Sequence, residues 1–329
     1  MVLFCKNVHF TEKPSLDHLC CIINEILELF TSIEELMEHI KGIVTPVLTP
    51  FLPNGDIAES LLPSFLKFLT PHVNGFFVCG SFGSGMMMEI PQRKQMLELV
   101  SFQNTELHRL VIAHVGTTST ASTIDLAQHA QQHGAHALAA VLPYYYPHTN
   151  NAILYHFRSL LESTDLPVYL YDYPSYIHHE VSLELFEKLI ELGVCGVKDT
   201  SGKLDAMQKR MQSIPPTRCD YLVGTEAILV PAHEIGIRGC ISGLSNVFPE
   251  LVNALFKALE SDFQEEILHI QTIIFFIRQL MRQYSKMEAS YAILQMRGVN
   301  CGIPRTPFGA MNESDLAHIK QELISKQII

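Results

Sequence analysis

Lys198 closes an apolar run, Val194-Cys195-Gly196-Val197, and is followed at once by Asp199 and Thr200. Such a place is unusual for lysine, which is almost never fully buried without a partner. In a low-dielectric pocket the amine gives up its charge, and a neutral amine adds to a ketone to form an imine. The bland alternative is an ion pair with the neighbouring Asp199, and on these residues alone both readings stand. Cys79-Gly80-Ser81-Phe82-Gly83-Ser84-Gly85 is a run of small residues whose N–H groups can form a nest for a carboxylate. A tight turn without a ligand explains it equally well. It is neither a phosphate-binding Gly-Lys-Ser/Thr loop nor a dinucleotide-binding one. Tyrosines gather in Pro143-Tyr144-Tyr145-Tyr146-Pro147 and in Tyr171-Asp172-Tyr173-Pro174-Ser175. They suit proton transfer and hydrogen bonding, or form a hydrophobic rim. Ile241-Ser242-Gly243-Leu244-Ser245-Asn246 adds further hydroxyls and a glycine.

Each of these clusters ends a short apolar stretch, and the stretches recur with a regular period. Strands are predicted at 42–45, 73–81, 110–116, 135–144, 167–174, 194–200, 221–225 and 239–246. They are almost continuously apolar, as expected of parallel strands buried on both faces. Amphipathic helical stretches at 60–69, 91–102, 120–133, 152–163, 183–192, 203–212 and 227–235 fill the gaps. Eight alternating units predict an α/β fold, a (β/α)8 TIM barrel, which gathers its working residues at the C-terminal ends of the strands. The domain reading is an N-terminal helical extension at 1–41, a barrel at 42–248 and a C-terminal helical extension at 249–329. The first holds one predicted helix at 16–40. The last holds helices near 249–260, 262–281, 286–296 and 313–325.

Composition narrows the partners. A formal net charge of −11 argues against a nucleic-acid groove, which needs a basic face, and means that an anionic substrate must be held by local donors. Hydrophobic residues at 47% against 17% charged supply a substantial core. The eight cysteines form no C-x-x-C pair and read as reduced, mostly buried thiols. The first residues lack the order of a signal peptide, and 267–281 is too short and too polar to span a bilayer. A cytoplasmic protein without a membrane partner is expected. His129, His133 and His136 have metal-like spacing, but Gly134 breaks the helix between them, so no metal site is assigned. Met86-Met87-Met88 reads as packing.

Taken in order, the clusters resemble the dihydrodipicolinate synthase / N-acetylneuraminate lyase superfamily of pyruvate-dependent aldolases, over residues 42–325. Cys79-Gly80-Ser81-Phe82-Gly83 stands where the family has Gly-Thr-Thr-Gly or Gly-Ser-Thr-Gly. Pro143-Tyr144-Tyr145-Tyr146 matches its Pro-Tyr-Tyr, and Tyr171-Asp172-Tyr173-Pro174 its Tyr-Asn-x-Pro. Gly196-Val197-Lys198-Asp199-Thr200 matches Gly-x-Lys-Asp/Glu, and Gly239-Cys240-Ile241-Ser242-Gly243 the glycine motif of the last strand. Five weak motifs in register across one barrel are specific together. The resemblance implies a carbon–carbon lyase in which Lys198 forms a Schiff base with pyruvate and Tyr171 shuttles the proton. It further implies that Gly80, Ser81 and Phe82 hold the keto-acid carboxylate, and that Ile241, Ser242, Gly243 and Tyr176 border the substrate. Tyr145 would complete the relay in a neighbouring subunit's site, within a homotetramer built as a dimer of dimers. No metal or organic cofactor is implied.

Departures from the pattern bear on the substrate. Phe82 replaces a hydroxyl residue, and Asp172 replaces asparagine, adding a charge expected beside the tyrosine. Tyr176 stands where the synthases place an arginine for the semialdehyde's carboxylate, and His178 replaces a glycine. Tyrosine cannot make that bidentate ion pair. Ser84-Gly85, the Tyr-x-Tyr-Pro strand end and Gly302-Ile303-Pro304-Arg305-Thr306-Pro307 are closer to the 2-keto-3-deoxygluconate aldolase branch. The expected substrates are therefore 2-keto-3-deoxy sugar acids, cleaved to pyruvate and an aldehyde. The alternatives are condensation of pyruvate with aspartate semialdehyde, with His178 or Arg305 supplying the cation, and a barrel that binds a keto acid without catalysis.

Overall fold

The computed structural model describes residues 39–177 and 179–329. Of the predicted N-terminal helix at 16–40, all but the last two residues lie outside them, and 39–41 are not helical. Eight strands form the barrel: β1 (Gly42–Thr45), β2 (Gly75–Val78), β3 (Leu110–His114), β4 (Ala137–Val141), β5 (Val168–Asp172), β6 (Gly196–Asp199), β7 (Asp220–Val223) and β8 (Gly239–Ile241). Each pairs in parallel with the next, and β8 closes on β1. The ladders are shorter than the apolar runs. The last residues of several runs, such as 79–81 and 242–246, leave the sheet to build the loops at the barrel mouth.

Helices alternate with these strands. They are α1 (Leu62–Leu69), α2 (Ile90–Leu107), α3 (Thr120–Gln132), α4 (Asn150–Leu161), α5 (Pro174–Ile177), α6 (Leu183–Leu192), α7 (Leu204–Ser213) and α8 (Leu229–Glu234). The single turn α5 was not expected. Pro174 starts it, because a proline ring fixes the helical φ where no N–H is needed, and the Tyr176 and Ile177 N–H groups donate back to Tyr173. Beyond β8 come α9 (Pro249–Glu260), α10 (Gln264–Arg282), α11 (Lys286–Met296) and α12 (Glu313–Ser325). The Tyr291 hydroxyl on α11 donates to the Thr49 carbonyl after β1 at 2.7 Å, which ties the tail to the mouth side of the barrel.

Two cores follow from the strand pleat, which sends successive side chains to opposite faces. Val44, Phe77, Ile112, Ala139, Tyr169, Tyr171, Leu222 and Ile241 fill the barrel interior. Phe65, Leu66, Phe157, Phe186 and their neighbours pack between strands and helices. At the floor, the Tyr169 hydroxyl and the Ile40 N–H both donate to Asp220, at 2.9 and 3.0 Å.

The same alternation places a charge cluster behind the mouth. β5 and β6 pair with Tyr171 opposite Lys198 and Asp172 opposite Asp199. The first pair faces inward and the second outward, where Arg210 on α7 meets both acids. Its Nη1 donates to Asp199 at 2.8 Å, and its Nη2 to Asp172 at 2.7 Å and to the Val181 carbonyl at 3.0 Å. All three charged groups are buried. The charge expected beside Tyr171 is thus turned away from it, because neighbours along a strand cannot share a face. Burial pushes the Asp172 carboxyl up to about 6, with Arg210 pulling it back and Asp199 adding to the rise. Arg210→Met should leave two buried carboxylates without their cation and cost about 3–5 kcal/mol in equilibrium unfolding. Arg210→Lys should recover only part of this, because an ammonium lacks the guanidinium fork. A loss under about 1 kcal/mol in the methionine variant would show that the cluster does not hold β5, β6 and α7 together.

Candidate functional site

A cavity of about 550 Å³ opens at the C-terminal ends of the strands. Lys198 stands at its base, 3% exposed, with Nζ 3.7 Å from the centroid of the Tyr171 ring and 4.0 Å from that of Phe77. The pleat points it inward from β6, and burial among these rings drives its amine well below the ordinary lysine range. Asp199 is not its partner. Arg210, together with the Ser201 N–H and hydroxyl, occupies that carboxylate. Among the described residues Lys198 enters no ion pair, and the structural reading of this lysine fails for that reason.

Tyr171 is buried from β5 with its ring edge-on to Phe77 and His114, at centroid separations of 5.7 and 5.6 Å. Its hydroxyl lies 3.3 Å from the Ser81 hydroxyl. Burial pushes the phenol up to about 12, and the hydroxyls of Ser81 and Thr200 draw it part of the way back. It therefore enters any reaction near neutral pH with its proton on. Tyr173 stacks on Tyr171 at 5.6 Å and Tyr176 stacks on Tyr173 at 4.2 Å, so one wall of the cavity is a ladder of three rings.

The small-residue loop after β2 begins with Cys79 at φ 59° and includes Ser84 at φ 55°, left-handed conformations that curl the backbone around its own N–H groups. The Ser84 and Gly85 N–H groups bond back within the loop, to Ser81 and Gly80. The N–H groups of Ser81 and Phe82 have no acceptor among the described residues, and both residues line the cavity. The Phe82 ring rests on Gly243, where an added Cβ would come within 2.3 Å of it. Ile241 and Gly243 also line the cavity.

Four of the expected residues do not line this chain's own cavity. Gly80 does not line the cavity; an added Cβ there would meet the Phe77 ring at 2.5 Å. Ser242 is buried behind the wall, donating to Glu226 at 2.6 Å. Tyr145 is 83% exposed at φ 80° and faces away from this chain's own cavity, its ring edge-on to Tyr146. Arg305 does not reach the mouth: it donates to the Gly55 carbonyl and stacks on Phe51. His178 lies outside the described residues. His129 near the end of α3 and His133 just past it do come together beside Glu98 of α2, in a group able to hold a metal ion. His136 is drawn away, its ring accepting from the Val111 N–H.

Four residues missed from sequence also line the cavity: Glu226 after β7, and Arg278, Arg282 and Lys286 from the helical tail. Burial alone would raise the Glu226 carboxyl, but Arg278 and the Ser242 hydroxyl hold it below its usual value. The strand-end rule, applied to Gly224-Thr225-Glu226 as it was to other strands, finds this acid. Arg278 and Arg282 stand four residues apart on one face of α10, and Lys286 follows at the start of α11, a signal hidden by treating the tail as separate from the barrel.

A model of the dihydrodipicolinate synthetase family matches residues 39–326. A 4-hydroxy-tetrahydrodipicolinate synthase of Desulfotalea psychrophila is 29% identical over 87% of this chain and 96% of its own length. An N-acetylneuraminate lyase of Rhizobium meliloti is 27% identical over 86% and 94%. Among solved structures, a variant of the 2-keto-3-deoxygluconate aldolase of Sulfolobus solfataricus superposes with a TM-score of 0.80 at 21% identity, over 87% of this chain and 96% of that one, a likeness of fold. The chain belongs to the dihydrodipicolinate synthetase family, a family of pyruvate-dependent aldolases and lyases.

Proposed function

We propose that this member of the dihydrodipicolinate synthetase family is a class I aldolase that uses Lys198 to form a Schiff base with pyruvate. We assign it the cleavage of 2-keto-3-deoxy sugar acids to pyruvate and an aldehyde. The observation that carries the reading is a buried, unpaired lysine amine at the base of a cavity, stacked on a tyrosine whose hydroxyl meets a serine hydroxyl.

The chemistry follows from those groups. The neutral amine of Lys198 adds to the C2 carbonyl, and the carbinolamine takes up a proton from solvent and loses water to leave a cationic imine. The imine draws in the electrons of the C3–C4 bond as it breaks, giving an enamine. The C4 hydroxyl gives its proton to the Tyr171 oxygen as Tyr171 passes its own to the bound carboxylate, directly or through the Ser81 hydroxyl, and the aldehyde departs. The relayed proton then returns to C3 of the enamine, and water hydrolyses the imine to release pyruvate. The free N–H groups of Ser81 and Phe82 suit the keto-acid carboxylate. A carboxylate-bearing site without catalysis would have no use for the Ser81–Tyr171 relay. Tyr145, exposed on a left-handed turn, is assigned to the neighbouring subunit's relay in a homotetramer.

Pyruvate with borohydride should add one reduced pyruvate to the peptide containing Lys198, by mass spectrometry. Because burial lowers the amine, the uncharged fraction grows at neutral pH, and labelling should half-saturate well below the 10.5 of a free lysine. An adduct that persists in Lys198→Ala would overturn the assignment. Tyr171→Phe should keep the adduct yet slow turnover by about 10²–10⁴-fold; a loss below about threefold would send the proton elsewhere. Tyr145→Phe and Lys198→Ala, each inactive alone, should regain activity when refolded together. Full activity in a native monomer would refute the shared site.

A further inference from the structure

The helical tail adds chemistry to the mouth. Arg278 and Arg282 lie one turn apart at the C-terminal end of α10, and Lys286 begins α11. All three line the cavity whose base is Lys198. Glu226 is the one carboxylate among the lining residues. It is already committed, receiving Arg278 and the Ser242 hydroxyl. Arg282 and Lys286 have no acidic partner among the described residues, and both are exposed at the rim. Burial presses the Lys286 amine below its ordinary range, Arg278 and Arg282 add to the fall, and Glu226, already bonded to Arg278, offsets it only in part. Ser285, the residue before α11, makes no side-chain cap, so the first-turn N–H groups of that helix are also left without a side-chain acceptor. In a chain of net charge −11 this local surplus of two cations runs against the global field.

A pair of solvated rim cations would satisfy a surface helix, and the end of α10 favours positive charge through its dipole. That account explains Arg282 but not the convergence of three cations on the wall of one cavity. The cavity exceeds what pyruvate fills, so the remaining volume belongs to the aldehyde half of the substrate. The rings of Tyr173 and Tyr176 and the three cations line that cavity with Lys198.

We propose that Arg282 and Lys286 form an anion subsite, which receives a phosphate ester or carboxylate at the end of the aldehyde half farthest from the keto acid. This rests on the aldolase reading above and sharpens it: the substrate is a 2-keto-3-deoxy acid charged at both ends. It narrows the expectation of 2-keto-3-deoxy sugar acids, drawn in part from Tyr176, to those with a second anionic group. Arg278 is a positioning residue, held by Glu226 so that its charge supports the pair.

The test compares kcat/KM for condensation of pyruvate with two matched pairs of aldehydes, glyceraldehyde 3-phosphate against glyceraldehyde and succinic semialdehyde against butanal. At least one charged member should win by about tenfold or more, the scale of one charge-assisted hydrogen bond. The pair that shows the gap identifies phosphate or carboxylate. In the double variant Arg282→Gln, Lys286→Gln the ratio should fall toward one while the borohydride adduct at Lys198 still forms, which reports an intact barrel. A charged aldehyde used no better than its neutral match in both pairs, or a preference that survives the double variant, overturns the subsite. If the wild-type enzyme forms no adduct at Lys198, the Schiff-base reading falls by itself, and calorimetric binding of glycerol 3-phosphate and of butyrate decides the subsite alone. Binding of either that the double variant loses upholds it; no binding of either, or equal binding by both proteins, refutes it.

Discussion

An ammonium ion is costly to keep inside a closed apolar barrel, and Lys198 is placed where that cost is highest. The barrel closes through eight parallel ladders, and its interior is filled by aliphatic and aromatic side chains up to the level of the lysine. No carboxylate among the described residues offsets the desolvation, so the balance falls on the uncharged amine. The ring faces of Phe77 and Tyr171 are the nearest neighbours of Nζ. They give modest cation–π support while excluding water. The chemistry assigned to the site depends on this arrangement, because only the neutral amine is a nucleophile.

The strand pleat supplies the means. Along β5 and β6, one residue faces the interior and the next faces the helices. The two strands therefore deliver a tyrosine and a lysine to the cavity and two aspartates to Arg210. Had either acid shared the lysine's face, it would have held the amine in its charged form. The outward cluster also pins α7 to β5 and β6 with buried, charge-assisted hydrogen bonds, in which loss of one partner is far more damaging than the pair is stabilising.

The helical tail completes the site. α10 and α11 carry the cations that meet Glu226 and the rim, and α11 anchors to the loop after β1 through Tyr291. In the proposed reading the barrel furnishes a nucleophile, a proton path and free N–H groups that any 2-keto acid can use. The tail and the strand-five loop furnish the part of the wall that meets the rest of the substrate. On that reading, reaction and selectivity rest on different segments, in keeping with relatives named as a 4-hydroxy-tetrahydrodipicolinate synthase and an N-acetylneuraminate lyase.

Much of this was legible in the sequence, for local reasons. Continuous apolar runs alternating with amphipathic stretches reflect parallel strands buried on both sides, so the order of the barrel and the strand-end clusters around Ser81, Tyr171 and Lys198 could be read directly. The one-turn helix at Pro174, the outward turn of Asp172 and the withdrawal of Ser242 behind the wall could not. Each depends on where a ladder stops or which way a backbone turns, and a shift of one residue reverses a side chain's face. Least legible were Glu226 with Arg278, Arg282 and Lys286, separated by about fifty residues and joined only when the tail folds back over the mouth. Local periodicity records which face of an element is buried; it carries no record of which distant element covers that face, and on that covering the charge of the substrate pocket depends.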